Sequence, residues 1–187
     1  MIVELGHFAL TLALAVALLQ MVVPMIGAQR RDSALMAVAA PAALAQFVLI
    51  AIAFAALMHA FLTSDFSVAL VAKNSHTAKP LIYKIAGVWG NHEGSMVLWV
   101  LILSLYGAMV ALFGGNLPDA LRARVLSVQA VIGVAFLGFI LFTSNPFLRL
   151  DPAPIEGNGL NPILQDPALA FHPPFLYAGY VGLSMAF

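Results

Sequence analysis

The chain has 187 residues, 63% of them apolar and only 9% charged, with eight basic side chains balanced by eight acidic ones. A soluble globular domain carries about a quarter charged residues, so this composition excludes that class and fits a polytopic membrane protein. Zero net charge points to no nucleic acid or acidic partner, and the absence of cysteine excludes disulfides, thiolate metal sites and thioether attachment of a cofactor to this chain.

In chain order, the first stretch carries Glu4 and His7 and lacks a basic n-region, so residues 1–26 read as a retained helix and not as a cleaved signal peptide. A spanning helix needs about 20 apolar residues. Four stretches meet this: 3–26, 34–62 with Pro41 near its start, 95–113 and 125–143. A fifth, 173–187, opens at Pro173 and is still running at Phe187. It holds about 15 residues, too few to cross a hydrocarbon core of about 30 Å, so the chain is expected to be part of a longer protein. The predicted fold is all-α: a polytopic transmembrane helical bundle of four full spans plus the start of a fifth, with external loops 63–94 and 144–172.

Within the first long loop, Leu81, Ile82, Ile85, Val88 and Trp89 recur at helical spacing, with Tyr83 and Lys84 between them. This predicts an amphipathic helix over 80–90 lying in the interface, with its aromatic rings at headgroup depth. The following turn offers Asn91 or Ser95 as a helix cap, and Glu93 suits the positive end of the next helix dipole. Arg30, Arg31, Arg122 and Arg124 lie close to helix ends in the short loops, while Lys73, Lys79, Lys84 and Arg149 are spread over the long ones. The positive-inside bias weighs residues near helix ends, which puts the N-terminus and both long loops outside. Gln20, Gln46 and Gln129 fall at depth and are expected to hydrogen-bond neighbouring helices. Apart from Glu4, no charged residue falls within the four spans, which argues against an ion-coupled transporter. Hydrolase, Walker A and HExxH motifs are absent.

All five histidines, His7, His59, His76, His92 and His172, fall on one side of this arrangement. His7 and His59 read as interfacial residues and His76 as a solvated one. His92 has two open readings, helix capping or function. His172 closes the longest polar, proline-punctuated segment, 158–174. A following proline disfavours the α region, so His172 is expected to be extended, with Pro173 and Pro174 in the first turn of the next helix. Imidazole is a common metal and haem-iron ligand, and on these grounds a ligand role and a structural role for His172 both stand.

Two runs carry a resemblance. The first is Pro80, Leu81, Ile82, Tyr83 and Lys84, then Trp89, Gly90, Asn91, His92, Glu93, Gly94 and Ser95, with Leu98 and Trp99. The second is Phe142, Thr143, Ser144, Asn145, Pro146 and Phe147, a Pro-Ile-Glu-Gly step at 154–157, Leu160, Asn161, Pro162, Ile163, Leu164, Gln165, Asp166 and Pro167, then Phe171, His172, Pro173, Pro174, Phe175, Leu176 and Tyr177 with Gly179, Tyr180, Val181 and Gly182. Together they resemble the N-terminal part of CcmF-type proteins, haem-handling subunits of the cytochrome c maturation (haem lyase) system. The resemblance implies a multi-pass protein of the bacterial inner membrane with its long loops in the periplasm. Such a protein takes haem from the chaperone CcmE and, with CcmH and CcmI, helps attach it to apocytochrome c. It further implies that His172 is a periplasmic axial ligand of haem iron, with Trp89, His92, Glu93, Pro173 and Pro174 positioning the cofactor. The second periplasmic ligand, the tryptophan-rich segment and the ligands of an intramembrane haem b are expected beyond residue 187. A haem exporter and a cofactor-free assembly scaffold are the alternative readings.

Overall fold

The computed structural model describes residues 1–185. Its helices in chain order are α1 (Ile2–Arg30), α2 (Ser33–Met36), α3 (Ala39–Leu62), α4 (Ala69–Asn74), α5 (Leu81–Gly87), α6 (His92–Phe113), α7 (Asp119–Phe142) and α8 (Pro167–Gly182). No strand forms among the described residues; one isolated antiparallel bridge joins Val68 to Arg149. The fold is an all-α bundle, and four helical stretches, Ile2–Arg30, Ser33–Leu62, His92–Asn116 and Asp119–Phe142, are long and apolar enough to cross a membrane.

Boundaries move where a local signal outweighs hydropathy. The span expected over 34–62 is interrupted at Ala37 and Val38, because Pro41 has no N–H for the Ala37 carbonyl four residues back. Asn91 caps α6 by accepting from the Gly94 N–H at 2.7 Å, so that helix starts three residues before the expected Ser95 and holds His92 and Glu93 in its first turn. Pro118 precedes α7, which begins at Asp119 and carries Arg122 and Arg124 inside its opening turns. The amphipathic segment forms α5, with Leu81 and Ile82 exposed and Ala86 and Gly87 buried. Helix α4 was not foreseen.

α1 lies between α3 and α7. Its contact face is built of small residues, Gly6, Ala9, Ala13 and Ala17, facing Ala53, Ala56 and Ala60 of α3. Without a hydrophobic drive between helices in lipid, close backbone approach supplies the packing energy. Gly6 illustrates it: a Cβ there would come within 2.6 Å of the Phe147 ring and 2.8 Å of the Ala56 methyl. Two of the buried glutamines cross-link helices as expected. Gln20 Nε2 donates to the Leu126 carbonyl at 2.9 Å, joining α1 to α7, and Gln129 Nε2 donates to the Leu103 carbonyl, joining α7 to α6. Gln46 packs beside Gly133.

The two long loops are stitched together at one end of the bundle. The Ala69 N–H donates to the Leu148 carbonyl and the Leu150 N–H to the Ser67 carbonyl, each at 2.8 Å. Further along, the Asn158 and Gly159 N–H groups donate to the carbonyls of Ala72 and Ser75. Gly157 sits so close to this seam that a Cβ would overlap the Ser75 carbonyl oxygen. Glu156 accepts from the Thr77 hydroxyl at 2.5 Å and the Thr77 N–H at 3.0 Å, which holds its carboxyl down at about 2. Arg149 ties the start of α1 to the loops: it reaches Glu4 at 2.5 Å, Asp65 at 3.2 Å and the Ser67 hydroxyl. Burial raises the Asp65 pKa, but hydrogen bonds from Ser67 and the Arg149 charge outweigh it and keep this carboxyl below its usual range.

Candidate functional site

α8 opens five residues before His172. Asp166 is its N-cap, with Oδ1 accepting from the N–H groups of Ala168 at 2.8 Å and Leu169 at 3.2 Å, and Pro167 takes the first turn. This corrects the extended reading of His172 and the start of the helix at Pro173. A cap followed by proline nucleates a helix, and once a turn has formed the chain carries through His172, Pro173 and Pro174 as helix. The local bias against helix before a proline is overridden. Each proline withholds an N–H from the carbonyl four residues earlier, leaving Leu169 and Ala170 without their helical donors.

The tertiary structure supplies one of them. Trp89 Nε1 donates to the Ala170 carbonyl at 2.9 Å, across the corner between α5 and α6. The Trp89 ring in turn lies nearly parallel to Phe54 of α3, with centroids 6.5 Å apart. Nearer its end, α8 is held again where Tyr106 Oη donates to the Ala178 carbonyl at 2.7 Å. Ala170, Pro173, Pro174, Tyr177, Ala178 and Val181 form one stripe at helical spacing, buried or half-buried against the bundle. His172 is on the opposite side, exposed with Phe171, Phe175, Leu176, Gly179 and Tyr180. The prolines face inward and the imidazole outward.

The named residues therefore divide. Trp89, His92 and Pro173 line one cavity of about 230 Å³, together with Leu160, Ala170 and Tyr177. Pro174 belongs to the inward stripe, and Glu93 is half-buried in the first turn of α6. His172 does not line the cavity. His92 has its Nδ1 2.8 Å from the Ser144 hydroxyl and its ring edge-on to Phe139. This contact joins the start of α6 to the end of α7, so a packing role of His92 is visible in its geometry. His7 makes the parallel contact, with Nδ1 3.3 Å from Asn145 Nδ2. His76 approaches Glu156 at 3.9 Å, and His59 stands exposed in the last turn of α3. These four histidines gather at the end of the bundle that carries the long loops.

Haem can be tested against these residues. A pocket that encloses a small ligand holds about 300–1,000 Å³, and the cavity beside Trp89 is smaller than that. No group of three or more His, Cys, Asp or Glu side chains able to hold a metal ion occurs among the described residues. The outer face of α8 does fit: one exposed imidazole stands beside Phe175 and Leu176, and Gly179 adds a place where nothing approaches within 4 Å. An exposed apolar face with one imidazole nitrogen is compatible in its chemistry with one side of a porphyrin.

Residues 89–187 match the family model described as "Cytochrome C assembly protein". The chain belongs to the cytochrome c assembly protein family. Among curated members of this family, it is 72% identical over 187 residues to the cytochrome c-type biogenesis protein ccl1 of Rhodobacter capsulatus, covering all of this chain and 29% of that protein. It is 50% identical over 188 residues to the cytochrome c-type biogenesis protein CcmF of Escherichia coli, again covering 100% of this chain and 29% of the relative. Among solved structures, the cytochrome c haem lyase CcmF superposes with a TM-score of 0.86 at 30% identity, over 98% of this chain and 29% of that one. The chain thus spans less than a third of the length of these relatives. As a member of the assembly family it shares their bundle, and the CcmF-type resemblance of the two motif runs holds.

The sequence did not single out the Ala170 carbonyl or Tyr106. The inward stripe from Ala170 to Val181 is a readable helical period, and Asp166-Pro167 is a readable cap. The donor to Ala170, 81 residues away, has no local signal.

Proposed function

We propose that this chain is the part of a cytochrome c haem lyase subunit that presents one axial ligand, His172, to haem at the outer surface of the bacterial inner membrane. The observation that carries the reading is the outward imidazole on the exposed apolar face of α8, held by a helix whose other side is anchored to α5 and α6. The names of the relatives, cytochrome c-type biogenesis proteins and a haem lyase, support the same reaction class.

In this proposal haem arrives from the chaperone CcmE and is the substrate. Thiols of apocytochrome c add across its vinyl groups, each forming a C–S bond on one vinyl carbon while a proton goes to the other. His172 holds the iron and orients the macrocycle, Phe175 and Leu176 supply an apolar platform, and the nucleophiles belong to the apocytochrome. CcmH and CcmI would deliver that chain, and the N-terminus and the long loops face the periplasm. The second axial ligand, and the ligands of an intramembrane haem b, come from outside this chain.

The test is His172→Ala in the complete protein, scoring c-type cytochrome production and the Soret absorbance of the purified protein. The expected result is loss of most cytochrome and a weakened, shifted haem band. Unchanged cytochrome with unchanged haem content ends the ligand assignment. A wild-type protein without any Soret absorbance would favour the cofactor-free scaffold, and haem uptake into sealed vesicles would favour an exporter.

A further inference from the structure

We infer that Trp89 and Pro174 act as a matched pair that positions His172, Trp89 supplying the hydrogen bond that Pro174 removes. In an α-helix the carbonyl of residue 170 accepts from the N–H of residue 174. Residue 174 is a proline and has none. Ala170 is 3% exposed, so water cannot easily take the vacant place, and a buried carbonyl without a donor destabilises the helix that carries it. The Trp89 indole N–H reaches that same oxygen at 2.9 Å. A donor outside the helix does more than replace the lost bond, because it fixes the helix to its neighbour. Trp89 follows α5, and its ring lies along Phe54, so α8 is referenced to α3 and α6 at a point two residues from His172.

The geometry also explains why the prolines and the histidine point in opposite directions. Pro173 and Pro174 stand on the inward stripe, Pro173 lining the same cavity as Trp89, and their rings fix φ at these positions. The imidazole is thereby aimed away from the cavity, on a helix whose rotation is set by a hydrogen bond at Ala170 and another at Ala178. With alanine at 174 the helix would satisfy residue 170 internally, and the bond from Trp89 would no longer be its sole donor. Trp89 is a positioning residue: its indole is spent on the backbone of α8, and its action on haem passes through His172. The inference rests on the ligand reading of His172 for its effect on haem, and on the hydrogen bond alone for its effect on the helix.

The experiment uses the complete protein with four variants: W89F, P174A, the double variant W89F/P174A, and H172A as reference. Phenylalanine keeps a ring against Phe54 and removes only the N–H; alanine at 174 gives residue 170 a donor within the helix. Two readouts are taken, Soret absorbance per protein and amide hydrogen exchange over 168–178 in haem-free protein. W89F is expected to raise exchange in this segment and to lower about fivefold or more the part of the Soret absorbance that H172A removes. P174A in the W89F background is expected to restore both, at least in part. Additive losses, with the double variant no better than W89F, overturn the pairing. Exchange restored without haem restored overturns the positioning of His172. If H172A leaves haem unchanged while exchange remains coupled between 89 and 174, the ligand reading fails and the matched pair stands; if H172A loses haem and the coupling is absent, the reverse holds.

Discussion

α1 is wedged between two neighbours, with small residues against α3 on one side and Gln20 bonded to α7 on the other, while Phe8, Leu12, Leu18, Leu19 and Val22 turn outward. α8 instead meets the rest of the molecule along a single stripe and leaves its other face bare. α1 is positioned by many close backbone contacts, so no single side chain decides where it sits. α8 is positioned by two side-chain donors, Trp89 and Tyr106, acting on its own carbonyls. A helix held by few, directional bonds can expose a reactive side chain at a defined angle. A helix wedged between two others by close backbone contact serves as support. The contrast separates the scaffold of this chain from the outward face on which the haem proposal rests.

The largest expected effect is at the corner that joins the two regions. Gly94 lies in the first turn of α6, where a Cβ would overlap the Val88 carbonyl oxygen. Gly94→Ala should cost about 4 kcal/mol or more and release both Trp89 and α8, seen as a lowered yield of folded protein in membranes and a lower thermal midpoint in detergent. Next comes a paired truncation. Leu57 is fully buried beneath α1, and Leu57→Ala should destabilise by about 2–5 kcal/mol. Leu176 is 49% exposed on the outer face of α8, and Leu176→Ala should change stability by less than about 0.5 kcal/mol while reducing bound haem. Equal stability losses from the two would erase the distinction between scaffold and platform.

A smaller effect is expected from Gln20→Leu. It removes the bond to the Leu126 carbonyl but also a buried Oε1 that has no partner, so the loss should be about 0.6 kcal/mol and below about 1.7, measured by unfolding in detergent. The smallest concerns the stitched loops. The folded Glu156 pKa, about 2, lies below its ordinary 4.5, so the Thr77 contacts contribute fully above 4.5 and are lost as pH falls toward 2. Protection of the amides at 75–79 and 156–159, corrected for the intrinsic pH dependence of exchange, should fall over that window while residues 9–20 of α1, away from the Glu4–Arg149 pair, are unaffected. Glu156→Gln should flatten the change; an unaltered pH profile in that variant would remove Glu156 as its cause.

Much of the fold was legible because each spanning helix is written in a run of apolar residues long enough to cross a bilayer. The errors fell at helix starts, where one cap or one proline decides. Asn91 won over Ser95, and Asp166-Pro167 began a helix that hydropathy placed at Pro173. His172 was legible as a candidate because an imidazole beside two prolines is conspicuous. Its helical state was not, since the rule that a residue before proline avoids the α region is local, and the cap six residues earlier overrides it.

What the sequence by itself determined was the class: four membrane-competent helices, an amphipathic segment, buried glutamines that cross-link helices, and a family signature in the runs around His92 and His172. The tertiary structure alone decided which way each of those residues faces. Hydropathy and periodicity act on one helix at a time and say nothing of rotation against a neighbour. That rotation is set by contacts such as Trp89 to Ala170, between groups 81 residues apart, and by the buried carbonyl that Pro174 leaves for another element to satisfy.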